Sequence, residues 1–183
     1  MLEPVLIKSL PGQQVIALRT VAPQIEALPA RLDEIASALD ARAIPHKTPG
    51  GIVLYHRPPG EGSAADIGIP IDGPVSTSAV DRLTLPSGET LTVRETPYVQ
   101  IAACLLHRGT YDHLADTRAA LLTWIEDNGY QISGPGRMVY RNTLGDTSPA
   151  ILSDEQTNQP SGQTLTELQF PVVKTKKKRK CKK

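Results

Sequence analysis

The residue types that could do chemistry gather in the last third of the chain, where Glu167 and Tyr140 lie in two strand-like segments. If both side chains point to one face of a sheet, a carboxylate stands beside a phenol. That pair suits a cationic amphiphile, because ring faces attract positive charge and a desolvated carboxylate needs a counter-charge. The same pair also suits catalysis, with Glu167 as general base toward water and Tyr140 as proton donor.

Each of these residues also has a purely structural interpretation. A glutamate on the outer face of a strand is often only solvated, and a tyrosine in a strand often packs against its cross-strand neighbours. The alternation of the segment around Glu167 bears on the first point. Leu168 and Phe170 need the core, so Glu167 and Gln169 are predicted to point to the opposite face.

An internal repeat indicates which elements position these residues. At an offset of 86 residues, VLIKSLP at 5–11 falls on LTVRETP at 91–97, and the dipeptide Pro49-Gly50 falls on Pro135-Gly136. Further along, ADIGIPI at 65–71 matches TELQFPV at 166–172, so that Asp66 corresponds to Glu167. Matches that occur in this order predict two copies of one supersecondary unit.

Each copy is predicted to be a β-α-β-β unit. The helices are marked by apolar residues at i, i+3, i+4 and i+7, as in Leu28, Leu32, Ile35 and Leu39, and Gly129 is expected to cap the second helix. We therefore predict an α+β fold in which a pseudo-twofold axis relates the copies. Its antiparallel sheet carries both helices on one face and a ligand cleft between the copies. Copy one covers about 4–74, a connecting hairpin about 75–90, and copy two about 91–173.

The second copy carries most of the distinctive side chains. At the same offset Trp124 replaces Ala38, Tyr140 replaces Leu54 and Tyr111 replaces Ile25, and six of the seven aromatic residues lie in copy two. We predict that Tyr140, Tyr111 and Trp124 line a cleft around Glu167. Gly68 is predicted to contribute from the equivalent outer face of copy one.

Charge and composition exclude several classes of function. The net charge is +1, but 174–183 holds 8 of the 20 basic residues, which leaves a body of net charge −7 that is poorly suited to a phosphate backbone. We predict that this tail is disordered. The four histidines and two cysteines show no metal-ligand or triad spacing, and no phosphate-binding glycine motif occurs. We expect no cofactor, no metal, no membrane span and a cytoplasmic location.

Four segments taken in order resemble the GyrI-like family, the effector-binding domain also found in multidrug-sensing MerR-type and AraC-type regulators. The resemblance covers about residues 3–173 and rests on HRGTY at 107–111, ALLTWIEDNGY at 120–130, GP at 134–135 followed by VYRN at 139–142, and TELQFPV at 166–172.

The resemblance implies a duplicated fold of the SHS2 type with a drug-sized cleft. It also implies that Glu167 pairs with cationic lipophilic ligands and that Tyr140 contributes an aromatic wall. Copy one begins within a few residues of Met1, so we expect no DNA-binding head.

Three functions remain open. The first is binding of amphiphilic, cationic small molecules by a sensor or sequestering protein. The second is hydrolysis of cyclopropane-type toxins by Tyr140 and Glu167, as some stand-alone members of the family suggest. The third is a protein-interaction module, such as a gyrase modulator, with no small-molecule site. A protein partner would be gyrase or a separate DNA-binding regulator.

Overall fold

A computed structural model describes residues 3–21, 25–47, 50–57, 64–73, 75, 80, 83–141 and 164–175. The first half contains β1 (Leu6–Leu10), β2 (Gln13–Val21), α1 (Leu28–Asp40), β3 (Gly51–Tyr55) and β4 (Ala64–Pro70). The second half contains β5 (Thr92–Thr96), β6 (Val99–Gly109), α2 (Leu114–Asp127), β7 (Tyr130–Ile132), β8 (Arg137–Arg141) and β9 (Thr164–Lys174). The predicted α+β class is confirmed.

All nine strands belong to one antiparallel sheet, whose main path runs β1-β6-β9-β8-β3-β4-β2-β5, while β7 pairs with β9. The corresponding strands of the two halves are β1 and β5, β2 and β6, β3 and β8, and β4 and β9. In each pair the two strands lie equally far from the centre of this path. The sheet therefore has the predicted pseudo-twofold relation, and the axis passes between β3 and β8, which pair at the centre.

Each repeat begins with a strand that the predicted β-α-β-β unit lacks, and the second repeat also contains the short strand β7. The additional strands, β1 and β5, cross to the other copy, so that β1 pairs with β6 and β5 pairs with β2. These two strands are the segments 5–11 and 91–97 that the offset of 86 residues aligns. Their exchange joins the two halves by backbone hydrogen bonds at both edges of the sheet.

Both helices pack on one face of the sheet over a single apolar core. Leu28, Leu32, Ile35 and Leu39 of α1 and Leu114, Leu121 and Ile125 of α2 are buried there, as their spacing predicts. Gly129 adopts φ +71 just after α2, which confirms the predicted capping glycine. The opposite face holds smaller apolar clusters, formed around Val15, Ala17 and Ile52 and around Leu10, Ala102 and Cys104. Charged side chains can therefore lie on this face.

The remaining segments are only partly described. Thr84 and Thr90 form an isolated antiparallel bridge around the turn at 86–88, whereas most of 74–82 lies outside the described residues. The tail from residue 176 onward also lies outside them, and Lys174, which the sequence analysis assigned to the tail, is the last residue of β9. No helix in the described ranges has the length and hydropathy that a membrane crossing requires.

Candidate functional site

A buried carboxylate, Asp66, forms the centre of a charged cluster on the helix-free face. Arg19 donates from Nε to Asp66 Oδ1 at 3.1 Å, and His56 Nε2 lies 3.1 Å from the same oxygen. Arg94 Nε lies 3.5 Å from Asp66 Oδ2. Only 3% of Asp66 is exposed, so its charge needs these partners to be tolerated inside the protein. One carboxylate thus faces two arginines and a histidine.

A second buried carboxylate, Glu167, occupies the equivalent position in the second copy. Lys8 donates from Nζ to Glu167 Oε1 at 2.6 Å, and Arg141 Nη2 lies 3.4 Å from Oε2. The side-chain amide of Gln169 donates to Glu167 Oε2 at 2.5 Å, and its own oxygen accepts from Arg137 Nε at 2.7 Å. Glu167 is therefore already neutralised by cations of this chain.

The exchanged strands explain why the two clusters look alike. Lys8 of β1 and Arg94 of β5 coincide at the offset of 86 residues, and each reaches the carboxylate of the other copy. Asp66 of β4 pairs with Arg19 of β2, and Glu167 of β9 pairs with Leu106 of β6. In both repeats the carboxylate therefore lies next to the strand that follows the exchanged strand in the sequence. Each carboxylate is consequently held by a cation that arrives from the other repeat.

A drug-sized cavity of about 650 Å³ opens beside Asp66 and not beside Glu167. Its charged wall is formed by Arg19, His56, Asp66, Arg94, Glu95 and Arg137. Its apolar wall includes Leu54, Pro97, Val99, Pro135 and Pro171, and Tyr98, which is 66% exposed, stands at the same cavity. Cavities of 300–1,000 Å³ with an apolar lining and a few polar groups are typical of small-molecule sites. Both repeats contribute to it.

The expectation that Tyr140 shares a face with Glu167 is wrong. In the β8–β9 register Val139 lies opposite Glu167, and Tyr140 lies opposite Thr166. Tyr140 packs against the core under the helices, whereas Val139 belongs to a cluster on the other face. The residue of copy one that corresponds to Tyr140 is therefore Tyr55, which also packs against the helix-side core, and not Leu54.

The other aromatic residues predicted to line the cleft also lie with the helices. Tyr111 and Trp124 pack against the helix-side core, and the Trp124 ring stacks on Tyr130 with centroids 6.0 Å apart. Gly68 is buried in β4, where a Cβ atom would come within 2.4 Å of the Ile16 carbonyl oxygen. None of these residues is among those that line the cavity beside Asp66. The structure thus does not bring the predicted site residues together.

Burial alters the acidity of three groups near these clusters. Desolvation raises the pKa of Tyr140, and Asp33 of α1 raises it further. Desolvation also raises the pKa of Tyr55, which the nearby Arg118 partly offsets. Burial, together with the negative charge of Glu167, raises the pKa of the Cys104 thiol to about 12. Both tyrosines and Cys104 are therefore neutral at physiological pH, and none of them is an activated nucleophile.

Sequence reasoning missed the basic residues of the site, namely Arg19, His56, Arg94 and Arg137. Part of the signal was present, because Lys8 and Arg94 match in the repeat alignment. It was not used, since neither segment had been assigned as a strand. In the described ranges, no group of three or more His, Cys, Asp or Glu residues is arranged to hold a metal ion.

Comparison with solved structures gives the same architecture. The C-terminal domain of EcmrR superposes with a TM-score of 0.66 at 21% identity, over 94% of this chain and 98% of that one. The same match in the EcmrR–DNA complex determined by cryo-EM covers 58% of that longer chain. A hydrolase from Listeria innocua superposes with a TM-score of 0.53 at 12% identity, over 92% of this chain and 91% of that one.

Comparison with functionally curated sequences finds no significant match. At the identities given above, the structural matches establish the fold alone. The family is established by sequence, since the model of the GyrI-like small molecule binding domain matches residues 3–173. The cavity between the repeats and the duplicated sheet agree with that match, and the chain belongs to the GyrI-like small-molecule-binding family.

Proposed function

We propose that this protein binds amphiphilic, drug-sized molecules in the cavity beside Asp66, as a sensor or a sequestering protein. The observation that supports the proposal most directly is the lining of that cavity. Apolar side chains such as Leu54 and Val99 face a charged wall that contains Asp66 and Arg137. An apolar body and a polar group of one ligand can therefore be accommodated together.

The proposal is restricted to ligand binding. EcmrR has been seen bound to DNA, but the region similar to this chain accounts for 58% of the EcmrR chain in that complex. DNA binding is therefore a property stated for that longer protein. For this chain we propose a separate DNA-binding regulator as the protein partner in any transcriptional effect.

The preference for cationic ligands that the family resemblance implies stays a prediction. Each of the two buried carboxylates, Asp66 and Glu167, is already paired with basic side chains. A cationic ligand has to displace those side chains before it gains a counter-charge, and exchange of one cation for another contributes little net free energy. The apolar wall contributes to the binding free energy of any amphiphilic ligand, whatever the charge of that ligand.

A thermal-shift screen of amphiphilic cations, anions and neutral compounds tests the proposal. A compound at 100 times its Kd stabilises the protein by about 2.7 kcal/mol, which raises the Tm of a domain of this size by about 5–10 °C. Leu54→Trp narrows the cavity and should reduce the shift, whereas Val21→Trp, at a position that is 77% exposed, should not. Shifts that are unchanged in Leu54→Trp would place the ligand elsewhere.

The same screen tests the hydrolase alternative. Tyr140 and Glu167 lie on opposite faces of the sheet, so the geometry gives that pair no common substrate position. We expect every compound that raises the Tm to be recovered unchanged after prolonged incubation with the protein. Recovery of a hydrated product from the wild type, and not from Glu167→Gln, would favour the enzyme.

A further inference from the structure

The charged wall of the cavity holds more positive than negative charge. Arg19 and Arg94 share the single carboxylate of Asp66, with which His56 is also in contact. Arg137 adds a third guanidinium on the same wall. Glu95, the other acidic residue of the lining, is exposed to solvent, where water screens its charge. The enclosed part of the cavity is therefore cationic.

Arg137 is the cation of this wall that lacks a carboxylate partner. Its Nε donates to the Gln169 side-chain oxygen at 2.7 Å, and among the described residues the guanidinium makes no ion pair. Its Nη1 atom is buried without a hydrogen-bond acceptor in the described part of the chain. Burial lowers the pKa of Arg137, and the negative charge of Glu167 partly offsets this effect. Arg137 lines the cavity, so an anionic group of a ligand placed beside this guanidinium would supply the counter-charge that it lacks.

The neighbours of Arg137 hold it in place. Gln169 accepts from Arg137 with its oxygen and donates with its nitrogen to Glu167, which fixes the orientation of the amide and of the guanidinium that it contacts. In the first copy Ile52 takes the position of Arg137, and Gly68 takes the position of Gln169. The arrangement is therefore confined to copy two and is not required by the fold.

We propose that the cavity selects amphiphiles that carry a carboxylate, and that Arg137 is the residue that binds this group. The inference rests on the proposed ligand-binding function and adds the class of ligand, with a carboxylate in place of the cation that the family resemblance implies. A guanidinium presents a planar fork of donors that matches a carboxylate, and one such fork neutralises a single negative charge. The apolar wall formed by Leu54, Val99 and Pro171 then receives the body of the ligand.

Three probes that differ only at one end separate charge from apolar contact. They are 11-(dansylamino)undecanoate, its methyl ester and N-dansyl-1,10-decanediamine, whose dansyl fluorescence reports transfer into an apolar site. We expect the carboxylate to bind at least tenfold more tightly than the ester and the amine to bind no better than the ester. With Arg137→Met the carboxylate should lose this advantage while the ester keeps its affinity. Arg137→Lys should retain part of the advantage, because it keeps the charge and loses the fork.

Controls distinguish a local effect from unfolding. Arg42→Gln removes an exposed arginine that does not line the cavity, and it should leave all three affinities unchanged. Unchanged binding of the ester to Arg137→Met shows that this variant is folded. Equal affinity of all three probes, or tightest binding of the amine, would overturn the carboxylate proposal and leave the binding function standing. Failure of every probe to bind would count against both.

Discussion

At the scale of single residues, Asp66 and Glu167 show how one position in a repeat acquires two roles. Both are buried carboxylates on the helix-free face, and both are held by a basic residue of an exchanged strand. Only Asp66 lines the cavity, whereas Glu167 acts on it indirectly, through Gln169 and Arg137. The sequence assigned the greater importance to Glu167, because the aromatic residues of copy two were expected beside it.

Substitution of Asp66 should affect ligand binding more than substitution of Glu167, the residue that the family resemblance implies as the ligand's partner. Asp66→Asn frees Arg19 and Arg94 from their counter-charge, so the affinity for 11-(dansylamino)undecanoate should rise at least threefold. Glu167→Gln should change it less, because Glu167 does not reach the cavity wall. Fluorescence titration of both variants gives the comparison. A larger loss of amine binding in Glu167→Gln than in Asp66→Asn would favour Glu167 as the partner of a cationic ligand, as the family resemblance implies.

At the scale of elements, the sequence predicted the helices correctly and the face of one strand wrongly. The helices align at an offset of 86 residues, but Val53 and Met138 are the helix-face residues of β3 and β8, so these strands align at 85. The segment between α2 and β8 in copy two is therefore one residue shorter than the segment between α1 and β3 in copy one. Because side chains alternate along a strand, an error of one residue moves Tyr140 to the opposite face.

The pairing partners of the exchanged strands could not be predicted from the sequence, for a different reason. The segments 5–11 and 91–97 were recognised as equivalent, yet local pattern does not say which neighbour a strand pairs with. Leu6 pairs with Cys104, a partner far along the chain, and this choice depends on where the whole second copy lies. Lys8 and Arg94 reach the two carboxylates only because of that exchange, so these two ion pairs could not be predicted from the sequence.

Gly136 offers a test of the corrected alignment. A Cβ atom at Gly136 would come within 2.4 Å of the Phe170 ring, just as one at its counterpart Gly51 would meet the Leu32 side chain. Gly136→Ala should therefore destabilise the protein by about 1–3 kcal/mol, the usual cost of overpacking. Gly134→Ala, where the nearest atoms are 3.8 Å away in Pro171, is the matched control and should be close to neutral. Urea unfolding measures both, and equal stability of the two variants would reject this packing.

At the scale of the whole molecule, the pseudo-twofold sheet makes the two repeats depend on each other. Backbone ladders join them at three places, namely β1 with β6, β3 with β8 and β5 with β2. Without the other repeat, each would lose the pairing partner of its outer strand and the basic residue that the exchanged strand brings to its carboxylate. We therefore expect the described part of the chain to unfold as one cooperative unit. This unit should end at the last residues that take part in the sheet.

The C-terminal limit of this unit can be located by two truncations. Lys174 lies opposite Tyr130 in the β7–β9 ladder, with its ammonium 5.5 Å from the ring centroid. Thr175 donates to the Gly129 carbonyl oxygen from its backbone nitrogen at 3.0 Å and from its hydroxyl at 2.9 Å.

Deletion of 176–183 should therefore leave the Tm within about one degree of the full chain, since only a basic segment of low apolar content is removed. Deletion of 174–183 also removes these contacts, and at about 1 kcal/mol per net hydrogen bond it should lower the Tm by several degrees. Calorimetry at matched ionic strength separates the loss of contacts from the loss of charge. Equal Tm values for the two truncated chains would place the boundary before Lys174, as the sequence predicted. A Tm of the 176–183 deletion that is clearly lower than that of the full chain would show that the basic tail contributes to the folded unit.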